Sequence, residues 1–357
     1  MKKRGISLFL CTAMVTALLA GCSSGNQNTQ ATAAAAAGNA ASTAAAGNDG
    51  VYAMISKAAG NPYNERQAMG FQEVCEKLGV KYVIKHPESA SAEAQITMVN
   101  ELVAQGVNSM AVAGNDYDAL QPALSAAERA GIKVCSFDSS VNPDSRMVFV
   151  NQAGNNEIGE TLMDAILDIS GGEGQWAILS ATSQATNQNA WIEAMKKAME
   201  DPKYARLELV EIAYGDDEYQ KSVDQTQALL QNYPELKVIC APTTVGIMAA
   251  AKVLQDEGSA CKLTGLGLPS EMADYIGTDK SCPYMYLWNP IDVGRLTAYV
   301  SVALVDGSIT GAVGETFTAG DMGNYEIVAA SDGGTEVIVG PPFKFDSANI
   351  DEWKSVY

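Results

Sequence analysis

No reactive constellation of nucleophiles or metal ligands stands out in this 357-residue chain. Its one histidine, His86, precedes Pro87 in a predicted surface turn. No Cys/His spacing suits zinc, and the chain lacks a GxSxG elbow, a GxxxxGK(S/T) loop and a GxGxxG loop after its first strand. The glycine-rich run Gly171 to Gly174 leads into a strand and reads as a turn. A Lys57 and Asp138 pair standing alone is a weak basis for acid–base chemistry. The expectation is a protein that is not an enzyme and uses no metal or cofactor. What the sequence offers instead is hydrogen bonding. Lys57, Asp138, Thr186-Asn187-Gln188-Asn189, Thr243-Thr244 and Trp288-Asn289 each follow an apolar run. Together they supply one cation, one carboxylate, several amides and hydroxyls, and an aromatic face. Such a set can direct a ring of hydroxyls while the aromatic face packs on apolar C–H groups. It suits a small polyol.

Each of these residues also has a plainer reading. Lys57 fits a surface lysine near a turn, and Asp138 fits a turn cap. Asn187 is a natural N-cap for a helix beginning at Gln188. Trp191, three residues into that helix, reads as packing rather than as a stacking platform, whereas Trp288 stands where it can meet a ligand.

The elements that must hold these residues alternate strand and helix. Val51 to Ser56 reads as a strand and Asn64 to Leu78 as a helix, with Met69, Phe71, Val74 and Leu78 at helical spacing. Strand Val80 to Ile84, helix Ala92 to Ala104, strand Ser109 to Ala113, helix Asp118 to Ala130 and strand Ile132 to Phe137 continue the series. After a short strand at Met147 to Val150, a second series runs from helix Glu157 to Ile169 through strand Leu263 to Leu268. Helices between apolar strands predict parallel sheets covered on both faces. The predicted fold class is α/β, with two doubly wound parallel-sheet lobes joined by a three-strand hinge near Asn151, Trp288 and Gly323. The lobes are expected at 51–151 plus 290–322 and at 152–289 plus 323–357. In open parallel sheets ligands bind beyond the carboxyl ends of the strands, where the polar residues above fall.

The N-terminal end carries its own signals. Lys2, Lys3 and Arg4 precede a short apolar run, Ile6 to Ala20, which predicts a signal peptide over 1–21. Leu19-Ala20-Gly21-Cys22 resembles a bacterial lipobox, so Cys22 is expected to become a lipidated N-terminus that anchors the protein to the outer face of the cell membrane. From Ser23 to Gly50 the chain has no large apolar residue and predicts a disordered tether, grouped with Cys22 as 22–50, of about 30 Å end-to-end distance. The formal net charge of −19 argues against nucleic acid as a partner. Cys75, Cys135 and Cys240 are expected to be buried, and a Cys261–Cys282 disulfide is left open.

From Val51 to nearly the C-terminus the chain resembles the type I, ribose-binding-like periplasmic binding proteins, and within them the branch of autoinducer-2-binding and rhamnose-binding proteins. The resemblance rests on Val150-Asn151-Gln152, Thr186-Asn187-Gln188-Asn189-Ala190-Trp191, Ile239-Cys240-Ala241-Pro242 with Ala249-Ala250-Ala251, and Leu287-Trp288. It implies a monomeric solute-binding subunit of an ABC importer, whose inter-lobe cleft closes on ligand and which docks on a permease with a separate ATPase subunit. A sensor presenting its closed state to a receptor is the other implied role. In the autoinducer-2 branch a lysine, a strand-end aspartate, an Asp-Gln pair and a Pro-x-Ala turn hold the ligand, a pattern that Lys57, Asp138, Gln188 and Pro242 match. Asn187 stands in place of the family's aspartate and Thr244 in place of its alanine. Both changes alter hydrogen-bond complementarity. The ligand expected is a rhamnose-like deoxyhexose or related monosaccharide, with autoinducer-2 the alternative, and Trp288 joins the ligand-binding set.

Overall fold

The structure is a computed structural model, and it describes residues 50–357. The predicted signal peptide, Cys22 and most of the tether lie outside the described residues. The first lobe opens with β1 (Val51–Ile55), α1 (Pro62–Leu78), β2 (Lys81–Lys85), α2 (Ala92–Gln105) and β3 (Ser109–Val112). It continues with α3 (Gln121–Arg129), β4 (Lys133–Phe137) and β5 (Phe149–Asn151). The second lobe contains α4 (Asn155–Ile169), β6 (Gly174–Ser180), α5 (Thr186–Ala198), β7 (Leu207–Tyr214) and α6 (Tyr219–Asn232). After these come β8 (Leu236–Ala241), α7 (Thr244–Asp256), β9 (Lys262–Gly265), α8 (Pro269–Met272) and β10 (Met285–Leu287). The chain then returns as α9 (Pro290–Asp306), packed on α1 and on β3, β4 and β5.

Local chemistry sets these boundaries. Asn61 accepts from the Tyr63 amide, Pro62 follows with no N–H to satisfy, and Gly79 ends α1 in a left-handed cap. Asn289 and Pro290 repeat the arrangement at the start of α9. Helix α1 therefore begins two residues earlier than the hydrophobic periodicity indicates. The two helices touch backbone to backbone. A Cβ on Gly70 would lie 2.0 Å from the Ile291 carbonyl oxygen, and one on Gly294 would lie 1.9 Å from that of Gln67. Only glycine permits that approach.

In the first lobe the strand order is β5-β4-β3-β1-β2, all parallel, and the second lobe's sheet runs β7-β6-β8-β9, also parallel. Ala53, Ile55, Met110 and Val112 pack with Val99, Leu102 and Leu124 of α2 and α3 in one fully buried layer. The opposite face of that sheet and the second lobe's interior share the larger apolar core. Both lobes are thus doubly wound, as predicted.

The tail departs from the expected boundaries. Hairpin strands β11 (Thr316–Thr318) and β12 (Asn324–Glu326) pair with each other. Strands β13 (Val328–Ala329) and β14 (Thr335–Ile338) extend the first lobe's sheet, β14 lying parallel to β5. Only β15 (Phe343–Phe345), paired with β10, and α10 (Ile350–Trp353) reach the second lobe. The third crossover therefore lies at 339–342, not near Gly323, and residues 323–338 belong with the first lobe. The Val339 and Gly340 amides donate to the carbonyls of Asn151 and Gln152, so this crossover runs beside the first one. The five described cysteines are free and buried. Cys261 and Cys282 are thiols that donate to the Lys262 and Tyr284 carbonyls.

Candidate functional site

The carboxyl ends of both sheets face one pocket of about 400 Å³, counted to the solvent that enters it. Lys57, Asp138, Asn187, Gln188, Pro242, Thr244 and Trp288 all line it. The structure thus brings together the seven residues expected to hold ligand, whereas Thr186, Asn189 and Asn289 of the wider polar set do not line the pocket.

Lys57 follows β1 and is not a surface lysine, for it is only 6% exposed. The Asn115 side chain donates to its carbonyl, fixing the backbone. Its Nζ donates to Asn187 Oδ1 at 2.9 Å and to Gln188 Oε1 at 3.1 Å, across the cleft. Burial pushes the ammonium below its usual pKa, while Asp217 and Asp138 pull it back up.

Asp138 follows β4 with φ 58°, a left-handed conformation that Asp tolerates better than most residues. Its Oδ1 accepts from the Tyr63 hydroxyl at 2.7 Å, and that hydroxyl accepts from Trp288 Nε1 at 2.6 Å. Burial raises the carboxyl above the ordinary carboxylate range, opposed by the Lys57 charge and the Tyr63 hydrogen bond. Tyr63 is itself pushed well up, first by burial and then by the Asp138 charge. The tyrosine proton therefore stays on oxygen and serves the carboxylate.

Helix α5 begins at Thr186 with Ala185 at the cap position, so Asn187 lies in its first turn and is not an N-cap. This frees its amide to face Lys57, with Nδ2 3.5 Å from Asp138 Oδ2. Thr244 opens α7, and its hydroxyl reaches Asn61 Oδ1 of the first lobe at 3.4 Å. Trp191 lines the pocket as well as packing: its ring meets Trp288 edge to face at 5.7 Å, and its N–H donates to Asn155.

Sequence reasoning passed over Asn61, Tyr63, Asn64 and Asp217, which also line the pocket. The Asn-Pro pair at 61–62 is a helix-start signal that would have brought the first three to the cleft. Asp217 follows β7, obeys the same strand-end rule, and accepts from the Thr243 hydroxyl. Asp216 and Asp217 both have φ 55°, a strained turn at the pocket's edge. His86 follows β2 directly and its ring nitrogen pairs with Ser56 Oγ at 2.7 Å, outside the pocket. Among the described residues no group of three or more His, Cys, Asp or Glu is placed to hold a metal ion. Two facing half-sites of donors and acceptors, with indoles between them, can hold a polyhydroxylated ring and close around it.

Residues 52–309 match the periplasmic binding protein domain family. The chain belongs to the periplasmic binding protein family. This binding protein is 60% identical to an ABC transporter solute-binding protein from Clostridium phytofermentas whose crystal structure holds L-rhamnose. That match has a TM-score of 0.85 and covers 86% of this chain and 99% of the other. LsrB from Clostridium saccharobutylicum, solved with AI-2, shares the fold at 22% identity, with a TM-score of 0.79 over 85% of this chain and 99% of its own. The D-ribose/D-allose-binding protein of Pseudomonas aeruginosa is 25% identical over 50% of this chain, and that match spans 57% of the relative's own length.

Proposed function

We propose that this binding protein captures L-rhamnose, or a monosaccharide closely related to it, between its lobes and delivers it to an ABC permease powered by a separate ATPase subunit. The observation that carries the reading is the convergence of Lys57 and Asp138 from one lobe with Asn187, Gln188 and Thr244 from the other on one pocket. The 60% identity to a rhamnose-bound relative supports the choice of ligand. A ligand touching both half-sites favours the closed arrangement, because only there does it gain both sets of contacts. The closed form is then what a permease recognises. The protein acts as a monomer, binds without turnover and requires no cofactor. Lipidated Cys22 holds it at the outer face of the membrane.

Calorimetric titration of the mature chain with L-rhamnose and with autoinducer-2 tests the reading. L-rhamnose should bind one to one and be recovered chemically unchanged, and Asp138→Ala should abolish the heat while the variant still melts cooperatively. Binding of autoinducer-2 with no heat from L-rhamnose would assign the pocket to the other ligand.

A further inference from the structure

The pocket's lining is uneven in polarity. Strands β8, β9 and β10 end side by side: the Leu266 amide donates to the Ala241 carbonyl at 3.0 Å, and the Gly267 amide to that of Tyr286 at 3.2 Å. Pro242, Leu266 and Leu287 stand at these three adjacent ends, all buried and all lining the pocket. Trp288 follows Leu287, and Trp191 leans on it. None of these side chains has a donor to spare. Trp191 Nε1 donates to Asn155 Oδ1 at 3.1 Å, and Trp288 Nε1 donates to Tyr63 Oη at 2.6 Å. The carboxylates, amides and hydroxyls that could serve a sugar come from other positions on the lining: Lys57, Asp138, Asn187, Gln188, Asp217 and Thr244.

We propose that this apolar corner seats the C6 methyl group of a 6-deoxyhexose and so rejects the parent hexose, which carries a hydroxyl there. The inference rests on the L-rhamnose reading and adds the atom that discriminates. A methyl group on the corner gains buried apolar contact, worth about fourfold in affinity for one carbon. A hydroxyl on the same carbon would leave water for a corner whose two indole N–H groups and whose Leu266 and Gly267 amides already have partners. An unpaired buried hydroxyl costs about 5- to 150-fold in affinity.

L-Lyxose, L-rhamnose and L-mannose share their ring hydroxyl configuration and differ at C5, which bears hydrogen, methyl or hydroxymethyl. Titrated calorimetrically into the mature chain, L-rhamnose should bind tightest, L-lyxose about fourfold more weakly and L-mannose about 5- to 150-fold more weakly. Leu287→Asn, which places an amide in the corner, should narrow the gap between L-rhamnose and L-mannose. Equal affinity for L-rhamnose and L-mannose, or for L-rhamnose and L-lyxose, would overturn this inference and leave the rhamnose reading standing. An unchanged ratio in a folded Leu287→Asn variant would overturn it too. If that variant does not fold, the three sugars on the unaltered chain decide. No binding of any of the three would overturn the rhamnose reading and this inference with it.

Discussion

Asp138 combines a left-handed backbone, a buried carboxyl and a relay of two hydrogen bonds back to Trp288. These features make different demands on a substitution. Asparagine keeps the left-handed turn and one acceptor oxygen but removes the charge that Lys57 faces. Asp138→Asn is expected to melt close to the unaltered protein yet to lose at least about tenfold in sugar affinity, since hydrogen bonds to charged groups are worth about 1.5–3 kcal/mol. The same carboxyl sets a pH dependence. Burial first, and then repulsion from Asp217, hold its pKa above the ordinary 3.8, against the pull of Lys57 and Tyr63. If the sugar hydroxyls donate to the ionised form, a proton competes with the ligand. Affinity measured from pH 7 downward should therefore begin to fall at a higher pH than an exposed aspartate would dictate. In Asp138→Asn that acid limb should disappear.

At the scale of elements, the contact between α1 and α9 is where sequence and packing bind each other most tightly. In an exposed helix, glycine to alanine stabilises by about 0.5–1 kcal/mol. At Gly294 the added methyl carbon would meet a carbonyl at 1.9 Å, so the two helices must move apart. Gly294→Ala should therefore destabilise, by about 1–3 kcal/mol on the scale of other overpacked cores. Thermal melting of the mature chain gives the sign directly. Because Asn61 caps α1 and Asn289 caps α9, a shift of either helix also moves Tyr63 and Trp288. Sugar affinity should fall along with stability.

At the scale of the whole molecule, three neighbouring crossovers carry the chain between lobes, at 151–155, 288–290 and 339–342. Two of them adjoin pocket residues: Trp288 sits on the second, and Asn155, which ends the first, accepts from Trp191. Closure and ligand contact thus share residues. The chain's net charge of −19 gives it no attraction for an anionic membrane surface, and among the described residues no helix is long and apolar enough to cross one. Anchoring by acyl chains on Cys22 is part of the function we propose. Cys22→Ser should appear in the medium, where fractionation and blotting detect it, and should bind sugar with unchanged affinity once purified.

The order of strands and helices, the parallel sheets and the positions of Lys57, Asp138, Gln188 and Trp288 were legible in the sequence. Each depends on a local pattern: an apolar run, a helical period, a polar residue just past a strand. What local pattern does not carry is which edge a short strand joins. The strands at 324–326, 328–329 and 335–338 read the same whichever sheet receives them, and pairing with β5 placed the last of them in the first lobe. The roles of Asn61, Tyr63 and Asp217 likewise came from tertiary structure. A tyrosine two residues into a helix reads as ordinary packing until folding sets its hydroxyl 2.7 Å from a carboxylate 75 residues further along the chain. Sequence periodicity fixes which way a side chain faces within its own element. Only the packing of distant elements decides what it meets.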